Sequence, residues 1–182
     1  RRPAPAGGAF PQAQDRALKL AGEVTAGRWT GGAPQGNLRA MTDHPPTLAD
    51  LAEVLAQTAF LKPYGFTVEA CAPGSCTLRV PFDPALERPG GIVSGMTLMG
   101  AADVAMWLAI MTQRGTREHW VTSDMKTAFL RSARQEDVLC TASVLKLGHR
   151  SAYGTAECRG ATSGLLAHHV LTYAKVDPGR TG

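Results

Sequence analysis

The chain has 182 residues, 44% of them apolar, which is ordinary for a globular protein and long enough for one domain plus some unpacked extra. Its net charge of +4 is unevenly spread: Arg1, Arg2, Arg16, Lys19, Arg28 and Arg39 stand against Asp15, Glu23 and Asp43 in residues 1–46, a net +3 there and +1 in all the rest. The basic pI therefore belongs mostly to the N-terminal segment and gives no sign of a nucleic-acid surface on the folded part.

Residues 1–46 are rich in Pro, Gly and Ala and carry one short helical pattern, Ala13 to Ala26. They hold few large apolar residues and read as a mostly flexible extension. They contain no apolar core of a secretory signal. The first methionine is Met41, a candidate for the biological start. Residues 47–177 read as the folded domain and 178–182 as a flexible C-terminus.

Thr47 to Gln57 reads as a helix, with Thr47 as N-cap, Asp50 in the capping-box position, and Leu48, Leu51, Val54 and Leu55 on one face. It stops before Pro63, and Tyr64-Gly65 turns the chain. Phe66 to Ala70 and Ser75 to Pro81 alternate like half-buried strands around the turn Ala72-Pro73-Gly74. A loop then runs through Arg88-Pro89 to a glycine-rich turn, Gly90-Gly91-Ile92-Val93-Ser94-Gly95.

The longest apolar run follows, Met96 to Met111, with one charge inside it, Asp103. Ala, Leu and Met dominate it, and Gly115 supplies a C-terminal stop, so it reads as a helix. About 18 helical residues would span nearly 27 Å. The central Asp103, the glycine-rich start and the lack of flanking Lys/Arg asymmetry favour a buried core helix over a membrane span.

After Gly115 the pattern is strand: Trp120 to Phe129, Val138 to Leu147, Arg150 to Arg159 and Leu165 to Val176, which reads as an antiparallel meander. Two helices and six antiparallel strands make an α+β domain. A helix apolar nearly all round has to be wrapped by the sheet.

Cys71, Cys76, Cys140 and Cys158 form no C-x-x-C pair and have no His at zinc spacing, so they read as small apolar strand residues. Four free thiols suggest a reducing, cytoplasmic setting. No two carboxylates or histidines share a face at ligand spacing, so no metal site is expected; no organic cofactor is expected either. His168 and His169 alternate faces, so at most one points inward.

In order and spacing, the segment from Leu51 to Val176 resembles the PaaI-like (phenylacetate-degradation) branch of hotdog-fold acyl-CoA thioesterases. The resemblance rests on Gly91-Ile92-Val93-Ser94-Gly95-Met96 followed by Ala101-Ala102-Asp103, on Val121-Thr122-Ser123-Asp124-Met125, on Phe129-Leu130-Arg131-Ser132-Ala133, and on Gly148-His149-Arg150. It departs from that family where Ser94 replaces a His, Met96 a second Gly, Ser132 a Pro, and Arg88 a residue that is often Asn. The resemblance implies a hotdog fold, a long central helix wrapped by a curved antiparallel sheet of about six strands. It also implies a dimer or tetramer whose interface holds the sites, with the Asp of one subunit opposite the glycine turn of its partner.

A lone carboxylate in an apolar helix is costly unless paired or used. Its apolar surroundings disfavour the charged form, which strengthens it as a base or nucleophile toward a thioester. Asp103 is the expected catalytic group. Free backbone N–H groups at a helix start suit an oxyanion, with Gly95 the first candidate donor and Met96 the second. Thr122 would orient the attacking water, and Asp124 reads as solvated or paired with Lys126. Ser94 reads as a helix cap or a contact to the thioester oxygen, the cap being favoured. Coenzyme A carries phosphates, which draws attention to Arg88, Arg131, Lys146 and Arg150, and to Gly148 at the turn. The rival readings are a non-catalytic acyl-CoA binding or sensing module, which has no need of Asp103, and a hydratase or dehydratase, which Ser94 in the His place counts against.

Overall fold

The computed structural model of the protein describes residues 45–177; the expected extension, except Pro45 and Pro46, and the C-terminal 178–182 lie outside them. Helix α1 spans Leu48–Gln57 and starts with the expected capping box: Thr47 accepts from the Asp50 amide, and Asp50 accepts from the Thr47 amide. Leu51 and Leu55 bury its apolar face. A 3₁₀ helix, Ala59–Tyr64, follows and ends at Gly65 in the left-handed region. The α-helix stops before Pro63, as expected, and Pro63 sits in the short 3₁₀ helix that follows.

Strands β1 (Thr67–Ala72) and β2 (Ser75–Val80) form a hairpin. A two-residue hairpin, β3 (Glu87–Arg88) and β4 (Ile92–Val93), carries the glycine turn in what the sequence reads as loop. Helix α2 runs Gly95–Arg114, about 30 Å at the standard rise. Strands β5 (His119–Phe129), β6 (Val138–Leu147), β7 (Ser151–Gly160) and β8 (Gly164–Val176) complete a six-stranded antiparallel sheet.

The sheet order is β1-β2-β6-β7-β8-β5, so the last four strands are not a simple meander. Strand β5 pairs with β8 at one edge, while β6 pairs with β2 across the sheet. The physical reason lies in the connection: residues 130–137 are too long for a tight hairpin, and the Leu130 and Arg131 amides bond to Leu166 O instead of turning back. This segment carries Gln135, at φ +47°. The buried Glu136 then accepts from the amides and hydroxyls of Thr162 and Ser163, joining it to the β7–β8 turn.

Helix α2 lies against β1, β2 and β5–β8, in the helix-wrapped-by-sheet arrangement expected of a hotdog. Ala101, Ala102, Ala105, Met106, Leu108, Ala109 and Ile110 are all fully buried along it. The small Ala side chains let sheet and helix approach closely, and the Leu, Ile and Met fill the curve of the sheet. The helix is long and apolar enough to cross a membrane, but 67% of its apolar window is buried inside the fold, which its place in the core explains.

Two of the four cysteines are not free. The β1–β2 register makes Cys71 and Cys76 direct Cα partners, 4.2 Å apart, and they are joined by a disulfide. The expectation of four free thiols is corrected to two, Cys140 and Cys158, both buried. The inference of a reducing compartment loses its premise with them. Of the adjacent histidines, His169 is fully buried, between Thr127 Oγ1 at 2.9 Å and the Cys158 thiol at 3.5 Å, while His168 is half-buried.

Candidate active site

The glycine turn sets the start of α2. Gly90 and Gly91 have φ of +104° and +67°, which a side chain would strain, and the turn closes with the Gly91 amide on Arg88 O. The Val93 amide bonds to Ala133 O and the Ser94 amide to Leu86 O, so the segment is anchored before the helix begins. Ser94 is the N-cap, and its Oγ accepts from the Met96 amide at 3.2 Å. The Ser94 carbonyl takes the Thr97 and Leu98 amides. Among the described residues the Gly95 amide has no such acceptor. Met96, the second-choice oxyanion donor, is already engaged by Ser94, which leaves Gly95 as the free donor of the first turn.

The Phe129 ring covers Gly95: a Cβ there would stand 3.0 Å from Phe129 Cζ. Around this end the apolar surface is open. Met96 is 75% exposed, Phe129 55% and Leu130 54%, and Met99 is partly exposed. Exposed apolar residues of this size, side by side at a helix start, suit an apolar ligand or a partner surface.

Asp103 sits two turns further along, half-buried on an otherwise buried stretch. Its carboxylate is not left in apolar surroundings, as the sequence reading had it. Oδ1 accepts from the Thr122 hydroxyl on β5 and, at 2.5 Å, from the Tyr173 hydroxyl on β8. Tyr173 Oη also lies 2.7 Å from the Asp103 carbonyl oxygen. Oδ2 has no partner among the described residues. Burial first, then the charge of Asp103, pushes the Tyr173 phenol well above its ordinary value, so it stays a protonated donor. The arrangement can present one carboxylate oxygen to a reactant while the other is held.

Gly95 and Asp103 are eight residues apart on one helix, about 12 Å along its axis. One thioester carbonyl cannot reach both within a single chain. The Arg and Gly candidates are divided in the same way. Arg131 is exposed near the Gly95 end and donates to Ser163 O. Arg88 is exposed on β3. Gly148 is at the opposite end of α2, where its carbonyl accepts from Arg114 at 2.6 Å, and Arg150 beside it is ion-paired with Asp177 at 3.6 Å. Asp124 is exposed with no ion pair to Lys126 among the described residues, and Lys146 and His149 are exposed. The same residues hold no group of three or more His, Cys, Asp or Glu placed to bind a metal ion.

Sequence reasoning did not single out Tyr173 or Phe129. A signal existed for Tyr173: it stands two residues after Leu171 and four after His169, on the inward face of a period-2 strand, where a phenol needs a polar partner. Phe129 opens the Phe-Leu-Arg segment at the end of β5, and the pairing of β5 with β8 places it where its ring meets the helix start.

Residues 90–167 match the thioesterase superfamily model. The chain is similar to a conserved protein of Pseudomonas aeruginosa (29% identity, TM-score 0.65, covering 69% of this chain and 99% of that one). It is also similar to zebrafish thioesterase superfamily member 2 (26% identity, TM-score 0.64, 71% and 98%). The PaaI protein of the Escherichia coli phenylacetic acid degradation operon shares the fold (18% identity, TM-score 0.63, 72% and 97%). No curated protein matches the sequence. The chain thus has the hotdog fold, with the superfamily pattern over the glycine turn, α2 and most of the sheet, and this likeness supports thioester hydrolysis in general terms.

Proposed function

We propose, from a hotdog-fold chain whose residues 90–167 carry the thioesterase-superfamily pattern, that this protein hydrolyses an acyl-CoA to a free acid and coenzyme A. The observation that carries the reading is Asp103: a carboxylate on the core helix whose Oδ1 is held by hydroxyl groups and whose Oδ2 has no partner among the described residues. Acting as a base, Asp103 takes a proton from water as the water oxygen bonds to the thioester carbon. The carbonyl electrons move onto oxygen, where the Gly95 amide at the helix start stabilises them. Collapse of that intermediate breaks the C–S bond, and the departing thiolate takes up the proton. Acting instead as a nucleophile, an Asp103 oxygen bonds to the thioester carbon, the C–S bond breaks and coenzyme A leaves as a thiolate that takes a proton from water; a second water then opens the acyl anhydride, releasing the acid and restoring the carboxylate. Thr122, bonded to Asp103, helps orient the carboxylate in either route.

The 12 Å between Gly95 and Asp103, about two helix turns, favours a site completed by a second copy, with Gly95 of one chain facing Asp103 of the other. The edge strand β5, with Val121 and Phe129 exposed, is a surface on which two copies can pair. Met96 and Phe129 then flank the acyl chain, and Arg88 and Arg131 serve the coenzyme A phosphates; Gly148 and Arg150, at the far end of α2, take part only through the partner copy. Ser94 in the place of a His counts against a hydratase or dehydratase.

The test is a panel of aliphatic and aromatic acyl-CoAs followed by a thiol-reactive dye. Release of coenzyme A, reduced at least about 100-fold in Asp103→Asn, is expected. Binding of several acyl-CoAs with no turnover would establish the sensing module instead.

A further inference from the structure

Resting on that reading, we infer that Tyr173 is a positioning residue of the reaction, which with Thr122 clamps Asp103 Oδ1 and leaves Oδ2 as the oxygen that meets the reactant. The clamp follows from the sheet register. Thr122 and Tyr173 are Cα partners across β5 and β8, so their side chains rise from the same face of the sheet toward α2. The β-bulge that begins at Thr122 shifts the register immediately afterwards, between Thr122 and Asp124. The two hydroxyls therefore meet one carboxylate oxygen from adjacent strands.

The two donors differ in how firmly they are held. Thr122 is exposed on an edge strand that pairs only with β8. Tyr173 is 2% exposed, on a strand bonded on both sides, opposite Ala152 of β7. A buried aromatic ring of this kind has little rotamer freedom, so its hydroxyl is the fixed point against which the carboxylate is oriented. Its single proton has two acceptors within reach, Asp103 Oδ1 and the Asp103 carbonyl, and the charged carboxylate is the stronger of the two. The carbonyl alone would satisfy a phenol with a purely structural role. The second contact ties the ring to the reacting group, and Tyr173 does so without touching substrate.

The experiment compares Tyr173→Phe, Thr122→Val, the double variant and Asp103→Asn on an acyl-CoA that the wild type turns over, with melting curves for each. Phe keeps the ring and removes only the hydroxyl. Tyr173→Phe is expected to lower kcat about tenfold, as one lost hydrogen bond to a charged group would, with KM changed less than about twofold. The double variant is expected to approach the rate of Asp103→Asn, with non-additivity marking the shared oxygen. A folded Tyr173→Phe with wild-type kcat, beside an inactive Asp103→Asn, overturns the positioning role and leaves the thioesterase reading standing. An active Asp103→Asn, or a wild type that turns over no acyl-CoA, overturns both. Should Tyr173→Phe fail to fold, 3-fluorotyrosine at position 173 keeps size and hydroxyl while strengthening the donor. A kcat changed at least about twofold then supports the role, and an unchanged kcat overturns it.

Discussion

At its C-terminal end α2 is tied down by side chains, whereas at its N-terminal end it is left open. Thr112 donates to Ala109 O at 2.6 Å and accepts from the Gly74 amide at 2.7 Å, fastening the last turn to the β1–β2 hairpin. Arg114 reaches Gly148 O, and the Gly115 amide closes on Met111 O at 2.8 Å. The first turn has one side-chain cap, Ser94, a Gly95 amide without an acceptor among the described residues, and exposed Met96 and Met99. One helix thus combines an end built for stability with an end that retains a free donor, the Gly95 amide, and apolar surface, the combination a binding site needs. Asp103, between them, belongs to neither: its hydrogen bonds come from the sheet.

Substitutions at each end should separate these roles. The largest effect on stability is expected at the closed end. Thr112→Val removes the acceptor of a buried amide and should cost about 1–3 kcal/mol in denaturant unfolding, with kcat unchanged for the folded protein. A loss of kcat greater than the loss of folded fraction would contradict the division.

Glu136 tests what holds the open end in place, since it joins the segment carrying Ala133, the Val93 partner, to the β7–β8 turn. Burial alone would raise its carboxyl, but hydrogen bonds from Ser163 and Thr162 outweigh that and hold it below its ordinary 4.5. A depressed folded value means the contribution is present above 4.5 and is lost as pH falls through the folded value. Glu136→Gln should therefore flatten the acid side of the stability curve below pH 4.5, measured by unfolding at a series of pH values, and lower stability at neutral pH. An unchanged acid limb would exclude this anchor.

The smallest effect is expected at Ser94→Ala. Loss of the cap should cost about 1 kcal/mol and free the Met96 amide. If Gly95 is the working donor, kcat changes less than about threefold, against the 100-fold or more expected for the loss of an oxyanion donor. A large fall in kcat would move Ser94 from cap to substrate contact.

Much of this architecture was legible in the chain. The capping box at Thr47 and Asp50, the stop at Gly115 and the apolar run are local signals, and local hydrogen bonds make them true. The Ser94 cap and the limit of one inward histidine in the pair His168 and His169 were legible for the same reason, one from N-cap chemistry and the other from strand alternation; which of the two turns inward was not. The reading failed where a contact joins residues far apart. The β5–β8 pairing depends on the 130–137 segment crossing the sheet instead of turning back. The Cys71–Cys76 disulfide depends on hairpin register, which the intervening Ala72-Pro73-Gly74 turn hints at but does not specify.

By itself the sequence determined that a long apolar helix carrying one carboxylate would start at a glycine turn and lie within an antiparallel sheet, because helix propensity, caps and period-2 alternation act over a few residues. Only the tertiary structure decided what surrounds that carboxylate. Thr122 and Tyr173 are 51 positions apart in the chain and are brought opposite each other by strand pairing, so which oxygen of Asp103 is held and which is left open is a property of the sheet and not of the helix.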